Sequence, residues 1–291
     1  MLTHLTIRNF KRFDDVTIEL HKPVVFVGPN NSGKTTALQA LTLWDIGLRA
    51  WMEKRGPGEE GPEKRSGVPI NRKDLMNLPV PSAQFFWHDL HIKTGSKNNG
   101  KQITENIRIE IEVAGIARGT PWQCGLEFDY ANEESFYCRP LRLENGKAPK
   151  RMAVPELSTL HPIAYLPPMS GLTDREFVRQ PGEIGFLIGQ GQTAQVLRNL
   201  CLNLYQSSQH KNRWDGVVAH IRKLFGVTLN NPILHPVRSE ITLSYHEGAG
   251  QELDLSCSGR GLQQTLLLLA FLYSNPQSTL LLDEPDAHLE I

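Results

Sequence analysis

Two short segments of this chain combine residue types that could handle phosphate groups. The first contains glycines, a lysine and hydroxyl side chains in the order Gly28, Pro29, Asn30, Asn31, Ser32, Gly33, Lys34, Thr35 and Thr36. Glycine lets backbone N–H groups converge on an anion, lysine places a compact cation on phosphate oxygens, and a threonine hydroxyl suits Mg²⁺. The pattern predicts a loop that binds the phosphates of a nucleotide, with Thr35 as a metal ligand.

The second segment lies close to the end of the 291-residue sequence and contributes two adjacent acids. Asp283 and Glu284 follow Thr279–Leu282, an apolar run that predicts a buried strand. Acids at the carboxyl end of a strand in a parallel sheet lie where ligands bind. We therefore expect Asp283 to hold Mg²⁺, directly or through water, and Glu284 to act as the general base that polarises an attacking water.

The elements on either side of the loop fit this chemistry. Residues 24–27 are β-branched or aromatic and predict a short buried strand before the loop. After the loop, apolar residues recur at spacings of four and three, namely Ala37, Leu41, Trp44, Leu48 and Trp51. This spacing predicts an amphipathic helix whose positive N-terminus points at the phosphates.

Alternating apolar and polar residues predict strands before and after this nucleotide-binding core. Residues 5–7 and 16–20 alternate, with a hairpin connection expected at 9–15. Residues 53–73 are rich in Gly, Pro and charge and predict a mobile loop. Residues 104–145 alternate and predict an antiparallel sheet whose polar rows face solvent.

The rest of the chain predicts one strand and two helices before a last strand. Ile163–Leu166 reads as a buried strand that is stopped by Pro167 and Pro168. Two apolar stripes follow at helical spacing, the first being Val196, Leu197, Leu200, Cys201 and Leu204. The second stripe is Val218, Ile221, Leu224 and Phe225, with Gly226 as its C-cap. Ile241, Leu243 and Tyr245 then alternate as in a strand.

Composition limits the classes of partner. The chain has 31 Lys plus Arg and 31 Asp plus Glu, so its net charge is zero, which argues against a globally basic nucleic-acid binder. Local basic stretches remain at Lys93, Lys97 and Lys101 and at Arg142, Lys147, Lys150 and Arg151, and either could contact DNA or could simply be solvated.

The cysteines and the apolar runs bear on the compartment. The four cysteines form no C-x-x-C pair and suit free thiols in a reducing cytoplasm. Basic residues within the first strand argue against a secretory leader, and the longest apolar run, residues 266–273, is too short to span a membrane. We expect a soluble, cytoplasmic protein without a membrane partner.

A third motif lies between the helices and the acidic segment. Residues 255–264 contain Ser256, Ser258, Gly259 and Gly261 just before an apolar helix over 265–273. Such residues could simply cap the helix. They could also bind a γ-phosphate through a serine hydroxyl and the first free N–H groups of the helix. Either serine could serve; we favour Ser258 because it aligns the helix that follows.

The order of phosphate loop, Ser-Gly helix and Asp-Glu strand resembles the ABC-type ATPase superfamily. The start Ile7-Arg8-Asn9-Phe10-Lys11-Arg12-Phe13 is similar to its SMC, RecF and OLD-like branch. The ending Asp283-Glu284-Pro285-Asp286-Ala287-His288-Leu289 is most similar to OLD-like and related prokaryotic AAA-family ATPases, whereas transporter ATPases usually have Asp-Glu-Pro-Thr-Ser-Ala there.

The resemblance implies a single ATPase head over 1–291 with an α/β fold of P-loop NTPase type. That fold has a mixed central sheet, an antiparallel β lobe and a helical lobe. The expected segments are a nucleotide-binding core at 1–52, a mobile loop and β insertion at 53–160, a core strand and helical lobe at 161–235, and the signature helix and acidic strand at 236–291.

The resemblance also implies ATP and Mg²⁺ as cofactors, with Arg12 among the nucleotide-binding residues. It implies a head-to-head homodimer in which Ser258 and Gly259 contact the ATP held by the phosphate loop of the other subunit. Heads of this kind act with DNA or a nuclease, in DNA repair or in defence against phage. The alternatives are a nucleotide-gated interaction module with little turnover and, less well supported, a transporter ATPase.

Three departures from the family pattern bear on turnover. Arg260 stands where a second glycine is usual, and Pro167 and Pro168 stand where many relatives have a glutamine that senses Mg²⁺ and water. Substitutes for that glutamine could be Gln180, Gln190 or Gln192. Relatives continue beyond the point matching Ile291 into a strand with a switch histidine, and OLD proteins into a nuclease domain. We therefore expect either a fragment or a shortened relative.

Overall fold

The computed structural model describes residues 1–21, 23–75, 78, 80–98, 101–143, 149–168, 172–173, 175–207, 211–248 and 250–286, with the backbone alone at 96–98, 101–103 and 211. Lys147 of the second basic stretch and Ala287, His288 and Leu289 of the ending motif lie outside these residues.

Both helices and strands are present. The helices are α1 Lys34–Arg55, α2 Pro181–Gly189, α3 Leu197–Gln206, α4 Lys211–Phe225 and α5 Arg260–Ser274. The first strands are β1 Leu2–Phe10, β2 Phe13–Glu19, β3 Gly61–Pro62, β4 Val68–Asn71, β5 Lys93–Asn98, β6 Lys101–Asn106, β7 Ile109–Ala117, β8 Thr120–Asn132, β9 Ser135–Pro140, β10 Arg142–Leu143 and β11 Lys150–Arg151. The later strands are β12 Ile163–Leu166, β13 Glu176–Phe177, β14 Val227–Leu229, β15 Ile233–His235, β16 Glu240–Thr242, β17 Ser244–Glu247, β18 Leu253–Asp254 and β19 Thr279–Leu282.

The chain divides into two compact units, Met1–Ile163 and Ala164–Ile291. The first unit contains the phosphate loop and the second contains the acidic pair. None of the helices in the described part of the chain is long and apolar enough to cross a bilayer.

The first unit is built on a six-stranded sheet in the order β2-β1-β7-β8-β9-β4, in which every pair is antiparallel. Leu5 pairs with Ile18 on one side and with Val113 on the other. The predicted hairpin is confirmed, but its connection is shorter than the expected 9–15. The strands run to Phe10 and resume at Phe13, because a positive φ angle at Lys11 allows a two-residue turn of Lys11 and Arg12.

Helix α1 packs on the apolar face of this sheet. All five predicted apolar residues of the helix are buried. The approach is close at Gly47, where a Cβ atom would lie 2.9 Å from the Phe128 ring and from the sulfur of Cys138. The Trp44 indole N–H also donates to the carbonyl of Cys124 at 2.9 Å. The sheet therefore fixes the helix that follows the phosphate loop.

The opposite face of the sheet differs from the prediction. Glu127, expected on a solvent-facing polar row, is 0% exposed. Its carboxylate forms ion pairs with Arg139 at 2.7 Å, with Arg151 of β11 at 2.7 Å and with Arg108 at 3.4 Å. The solvent-face prediction was wrong for this row because β11 brings Arg151 onto it, and alternation alone does not reveal a second layer.

Part of the predicted mobile loop at 53–73 is regular structure. Strand β4 extends the large sheet by pairing with β9, and β3 pairs with β11. The helix before them also continues to Arg55. Gly and Pro content therefore predicted the connections in this segment but missed its two short strands.

The second unit packs α3, α4 and α5 around one apolar core, with three small sheets formed by β12-β19, β13-β16-β15 and β14-β17-β18. The predicted strands at 163–166 and 279–282 and the predicted helices are confirmed. The apolar stripe of α4 was partly wrong: Trp214, Val217 and Ile221 are buried, whereas Leu224 is 61% exposed. The expected strand at 241–245 is split at Leu243 between two sheets.

Candidate functional site

The phosphate loop has the backbone shape of an anion cradle. Asn31 and Gly33 have φ angles of 64° and 103°, and the Ser32 N–H donates to the Pro29 carbonyl at 3.3 Å. Alternating left- and right-handed residues turn successive N–H groups toward one point. Gly33 is the N-cap of the 22-residue helix α1, whose first turn contains no acidic residue. The first N–H groups of the helix and its positive dipole end are therefore directed at the loop.

The Lys34 side chain folds back over the loop. Its ammonium group donates to the carbonyl of Gly28 at 2.6 Å and to that of Pro29 at 2.9 Å. This places a cation beside the backbone that would surround a phosphate. Asn30 and Thr35 are exposed, and Thr36 is half-buried in the first turn of α1.

The strand predicted before the loop is not formed. Residues 24–27 belong to no strand, and Val24, Val25 and Val27 are 40%, 77% and 90% exposed. The prediction rested on β-branched composition, which becomes a strand only where another strand offers hydrogen bonds and cover.

The β1–β2 turn supports the loop from one side. A Cβ atom at Gly33 would lie 2.6 Å from the Phe13 ring, so this ring closes directly on the glycine. The Lys11 ammonium group donates to the side-chain carbonyl of Gln39 of α1 at 2.7 Å, and burial lowers the pKa of Lys11 to about 8. Arg12 lies between these two anchored residues and is exposed. The turn thus brings the predicted residue Arg12 to the neighbourhood of the loop.

The acidic pair lies at the end of β19. Asp283 is 8% exposed, its N–H donates to the Leu166 carbonyl at 3.0 Å, and its carboxylate accepts from the Tyr165 hydroxyl at 3.2 Å. Glu284 is exposed and has a φ angle of 49°. A left-handed non-glycine residue is strained, and such residues are concentrated at functional sites. β12 therefore fixes the first acid, and the second acid projects from a strained turn.

The signature segment is a tight turn before α5. The Asp254 carboxylate accepts from the N–H and the hydroxyl of Ser256, and it is bound by the guanidinium of Arg198 at 3.0 Å. The Ser258 hydroxyl donates to the Leu255 carbonyl at 2.7 Å, and Gly259 is the N-cap of α5. Both serine hydroxyls are thus bonded within this turn, and Ser258 directly precedes the N-cap of α5. The choice of Ser258 as the phosphate-facing serine stays a prediction.

The predicted site residues fall into two groups, one in each unit. Residues 28–36 and Arg12 belong to the first unit, and Ser258, Gly259, Asp283 and Glu284 belong to the second. Sequence reasoning missed Phe13, Tyr165 and Gln264, the last of which donates to the Pro285 carbonyl at 3.3 Å. Only Gln264 carried a signal, since a glutamine inside an apolar helix needs a polar partner.

Comparison with known proteins matches residues 1–113 to the family model described as AAA ATPase domain. Among solved structures, the chain is similar to the SMC head domain from Thermotoga maritima, at 16% identity and a TM-score of 0.45, over 99% of this chain and 79% of that one. It is also similar to an Smc head domain with an extended coiled coil bound to the C-terminal domain of ScpA, from Pyrococcus furiosus, at 14% identity and a TM-score of 0.46, over 99% and 83% of the two chains. At such identities and TM-scores, these two likenesses by themselves assign no function.

The matched family model includes the β1–β2 hairpin, the phosphate loop and α1. Together with the helices and sheets described above, the match confirms the predicted fold class, an α/β fold of P-loop NTPase type. The first unit supplies the antiparallel β part of that prediction and the second supplies the helical part. Residues 1–113 are therefore similar to an AAA ATPase domain.

Proposed function

We propose that this protein binds ATP with Mg²⁺ and hydrolyses it. The observation that carries the proposal is the loop at 28–35, where left-handed Asn31 and Gly33, the start of α1 and the Lys34 ammonium group converge. Three separate features that attract phosphate thus occur in one eight-residue segment, which lies within the part similar to an AAA ATPase domain.

The side chains fit the expected metal and the expected proton transfer. Thr35 and Asp283 offer hydroxyl and carboxylate oxygens, the ligands that Mg²⁺ prefers. When bound, Mg²⁺ neutralises charge on the phosphate oxygens. Glu284 is exposed and can accept a proton from the attacking water, while Tyr165 orients the carboxylate of Asp283 by its hydrogen bond. Lys34 binds the β- and γ-phosphates.

The finer part of the proposal concerns assembly. Two chains pair head to head on ATP, and Ser258 and Gly259 of one subunit contact the nucleotide held by the other. Support comes from the turn before α5, which Asp254 and Arg198 fix through hydrogen bonds and an ion pair. On the resemblance to SMC, RecF and OLD-like heads, the dimer works in the cytoplasm with DNA and a nuclease partner, in DNA repair or in defence against phage.

Contact with DNA through the second basic stretch has little support. Arg142 pairs with Glu63 at 3.0 Å, Lys150 with Glu60 at 3.1 Å, and Arg151 with buried Glu127. A phosphate backbone would have to displace these acids. The β5–β6 hairpin, with Lys93 at its base, is confirmed as a hairpin and is the better DNA-contacting element of the two.

The test compares ATP binding and steady-state ATP turnover in four proteins. Glu284→Gln should bind ATP normally and lower kcat by at least about 100-fold. Lys34→Ala should lose ATP binding, and Lys223→Ala, an exposed lysine of α4, should behave as the wild type.

Two results would contradict the proposal in different ways. Unchanged ATP affinity in Lys34→Ala would show that the loop is not the nucleotide site. Equal, negligible turnover in the wild type and Glu284→Gln, with ATP binding intact, would leave a nucleotide-gated binding module in place of an ATPase.

A further inference from the structure

The turn that carries Glu284 is held in a strained shape. Its φ angle of 49° is unfavourable for a residue with a Cβ atom, because Cβ crowds the following carbonyl oxygen. Such a conformation persists only where neighbouring groups hold it. The exposed side chain of Glu284 does not do this by itself, so the anchors have to be sought on either side of it in the chain.

Two anchors hold the residues next to Glu284. On the N-terminal side, β12 binds Asp283 through the Leu166 carbonyl and the Tyr165 hydroxyl. On the C-terminal side, the amide nitrogen Nε2 of Gln264 donates to the carbonyl of Pro285 at 3.3 Å. The second anchor comes from α5 and not from the sheet. Glu284 is therefore fixed between a strand and a helix.

Gln264 is an unusual residue for its position. It lies on α5 among the apolar side chains of the second unit's core and is only 2% exposed. Its carbonyl oxygen Oε1 is buried and has no hydrogen-bond partner among the residues that the structure describes. A buried acceptor without a partner destabilises a fold, and an apolar side chain of equal size would avoid this. A glutamine here is best explained by the bond that its Nε2 makes.

We propose that Gln264 is a positioning residue for Glu284. By holding the Pro285 carbonyl, its amide fixes the strained turn so that the Glu284 carboxylate keeps the orientation needed to take a proton from water. The inference rests on the proposed ATPase function. It gives a role to Gln264, the last residue of the third motif at 255–264, to which the sequence analysis assigned none.

The first test is a variant that keeps side-chain size and removes the donor. Gln264→Met should lower kcat by about tenfold, the effect of losing one hydrogen bond that orients a catalytic group, and leave the Kd for ATP unchanged. If the variant only lost core packing, the amount of folded protein would fall, but the folded fraction would not show a lowered kcat with an unchanged Kd. Thr265→Val, the adjacent position on α5, is the control and should keep the wild-type kcat.

A second variant keeps the test decisive if Gln264→Met fails to fold. Gln264→Asn keeps an amide but is one methylene too short to reach the Pro285 carbonyl, so it should show the same loss in kcat. If either folded variant keeps the wild-type kcat while Glu284→Gln is inactive, the positioning role is overturned and the ATPase proposal stands.

Amide hydrogen exchange tests the turn without relying on turnover. In Gln264→Met, a peptide covering 280–286 should exchange about tenfold faster than in the wild type, while peptides from α3 and α4 remain unchanged. Unchanged exchange at 280–286 would overturn the inference even if ATP turnover proved absent. Absence of Glu284-dependent turnover would overturn only the ATPase proposal.

Discussion

At the scale of single residues, positive φ angles mark both parts of the site. Asn31, Gly33 and Glu284 are three of the described residues in the left-handed region, and each lies at a predicted phosphate or catalytic position. Glycine adopts this conformation without strain at Gly33, where the Phe13 ring leaves no room for a Cβ atom, whereas the strained turn at Glu284 is held by two anchors. The chemistry of the site thus depends on residues that do no chemistry themselves.

Gly33→Ala should weaken ATP binding by at least about tenfold, because alanine is strained at a φ of 103° and its Cβ would meet the Phe13 ring. The measurement is the Kd of a fluorescent ATP analogue. The double variant Gly33→Ala/Phe13→Ala removes the collision but not the dihedral strain, so it should recover only part of the affinity. An unchanged Kd in Gly33→Ala would mean that this loop shape is not needed for the nucleotide.

The sequence predicted the site residues whose types are restricted by chemistry. It did not predict the residues that matter only through their packing contacts. The loop at 28–35 and the pair Asp283 and Glu284 can be identified from the sequence because few residues bind phosphate or Mg²⁺. Phe13 and Tyr165 could not be identified, since an aromatic residue in a strand region is ordinarily core. Their roles depend on which elements pack together, and local pattern does not contain that information.

At the scale of elements, periodicity predicted that a helix or strand exists better than it predicted which of its faces is buried. α1, α3, α5, β12 and β19 were all expected, because their apolar residues repeat with the period of a helix or a strand. The predictions of a buried strand at 24–27 and of a buried Leu224 on α4 were wrong, because burial depends on a partner element. The buried Glu127 shows the converse, since the strand period correctly predicted β8 but not the layer that covers it.

Helix α3 supplies a prediction at this scale. The buried carboxylate of Glu176, from β13, accepts hydrogen bonds from the N–H groups of Arg198 and Asn199 at 2.8 and 2.6 Å and so caps α3. Glu176→Ala should lower the free energy of unfolding by about 1 to 2 kcal/mol, the range for a lost N-cap. Urea unfolding of the two proteins measures the difference, and an equal stability would show that the cap contributes nothing.

Glu176 also makes the free energy of unfolding depend on pH, and the direction of its pKa shift fixes the sign of that dependence. Burial raises the pKa of Glu176 above the ordinary value of 4.5, so the folded state prefers the protonated form more than the unfolded state does. This contribution to stability is present below pH 4.5 and is lost as the pH rises through the raised pKa. Glu176→Gln cannot titrate, so the wild type should lose stability relative to this variant across that window; a constant difference would contradict the assignment.

At the scale of the whole molecule, the phosphate loop belongs to the first compact unit, and the acidic pair and the segment 255–264 belong to the second. In the head-to-head dimer proposed above, Ser258 and Gly259 would contact the nucleotide of the partner subunit, whereas Tyr165 and Gln264 hold the acidic turn of their own subunit. The net charge of zero and the ion pairs of Arg142, Lys150 and Arg151 argue against a broad basic surface in the described part of the chain.

The dimer can be tested by complementation between two inactive variants. With ATP, Glu284→Gln should double in mass from 32.7 kDa by light scattering, because slow hydrolysis traps the closed pair. Ser258→Glu should prevent this, since its carboxylate repels the γ-phosphate, whereas Ser256→Ala should still pair because only the hydroxyl's bond to Asp254 is lost.

Lys34→Ala and Ser258→Glu should each be inactive alone. Mixed together, they form pairs in which the intact loop of one subunit faces the intact Ser258 of the other, so turnover should return to about a quarter of the wild-type rate for random pairing with one working site per mixed dimer. If mixing restores no activity while Ser258→Glu alone still hydrolyses ATP, each chain uses its nucleotide without a partner.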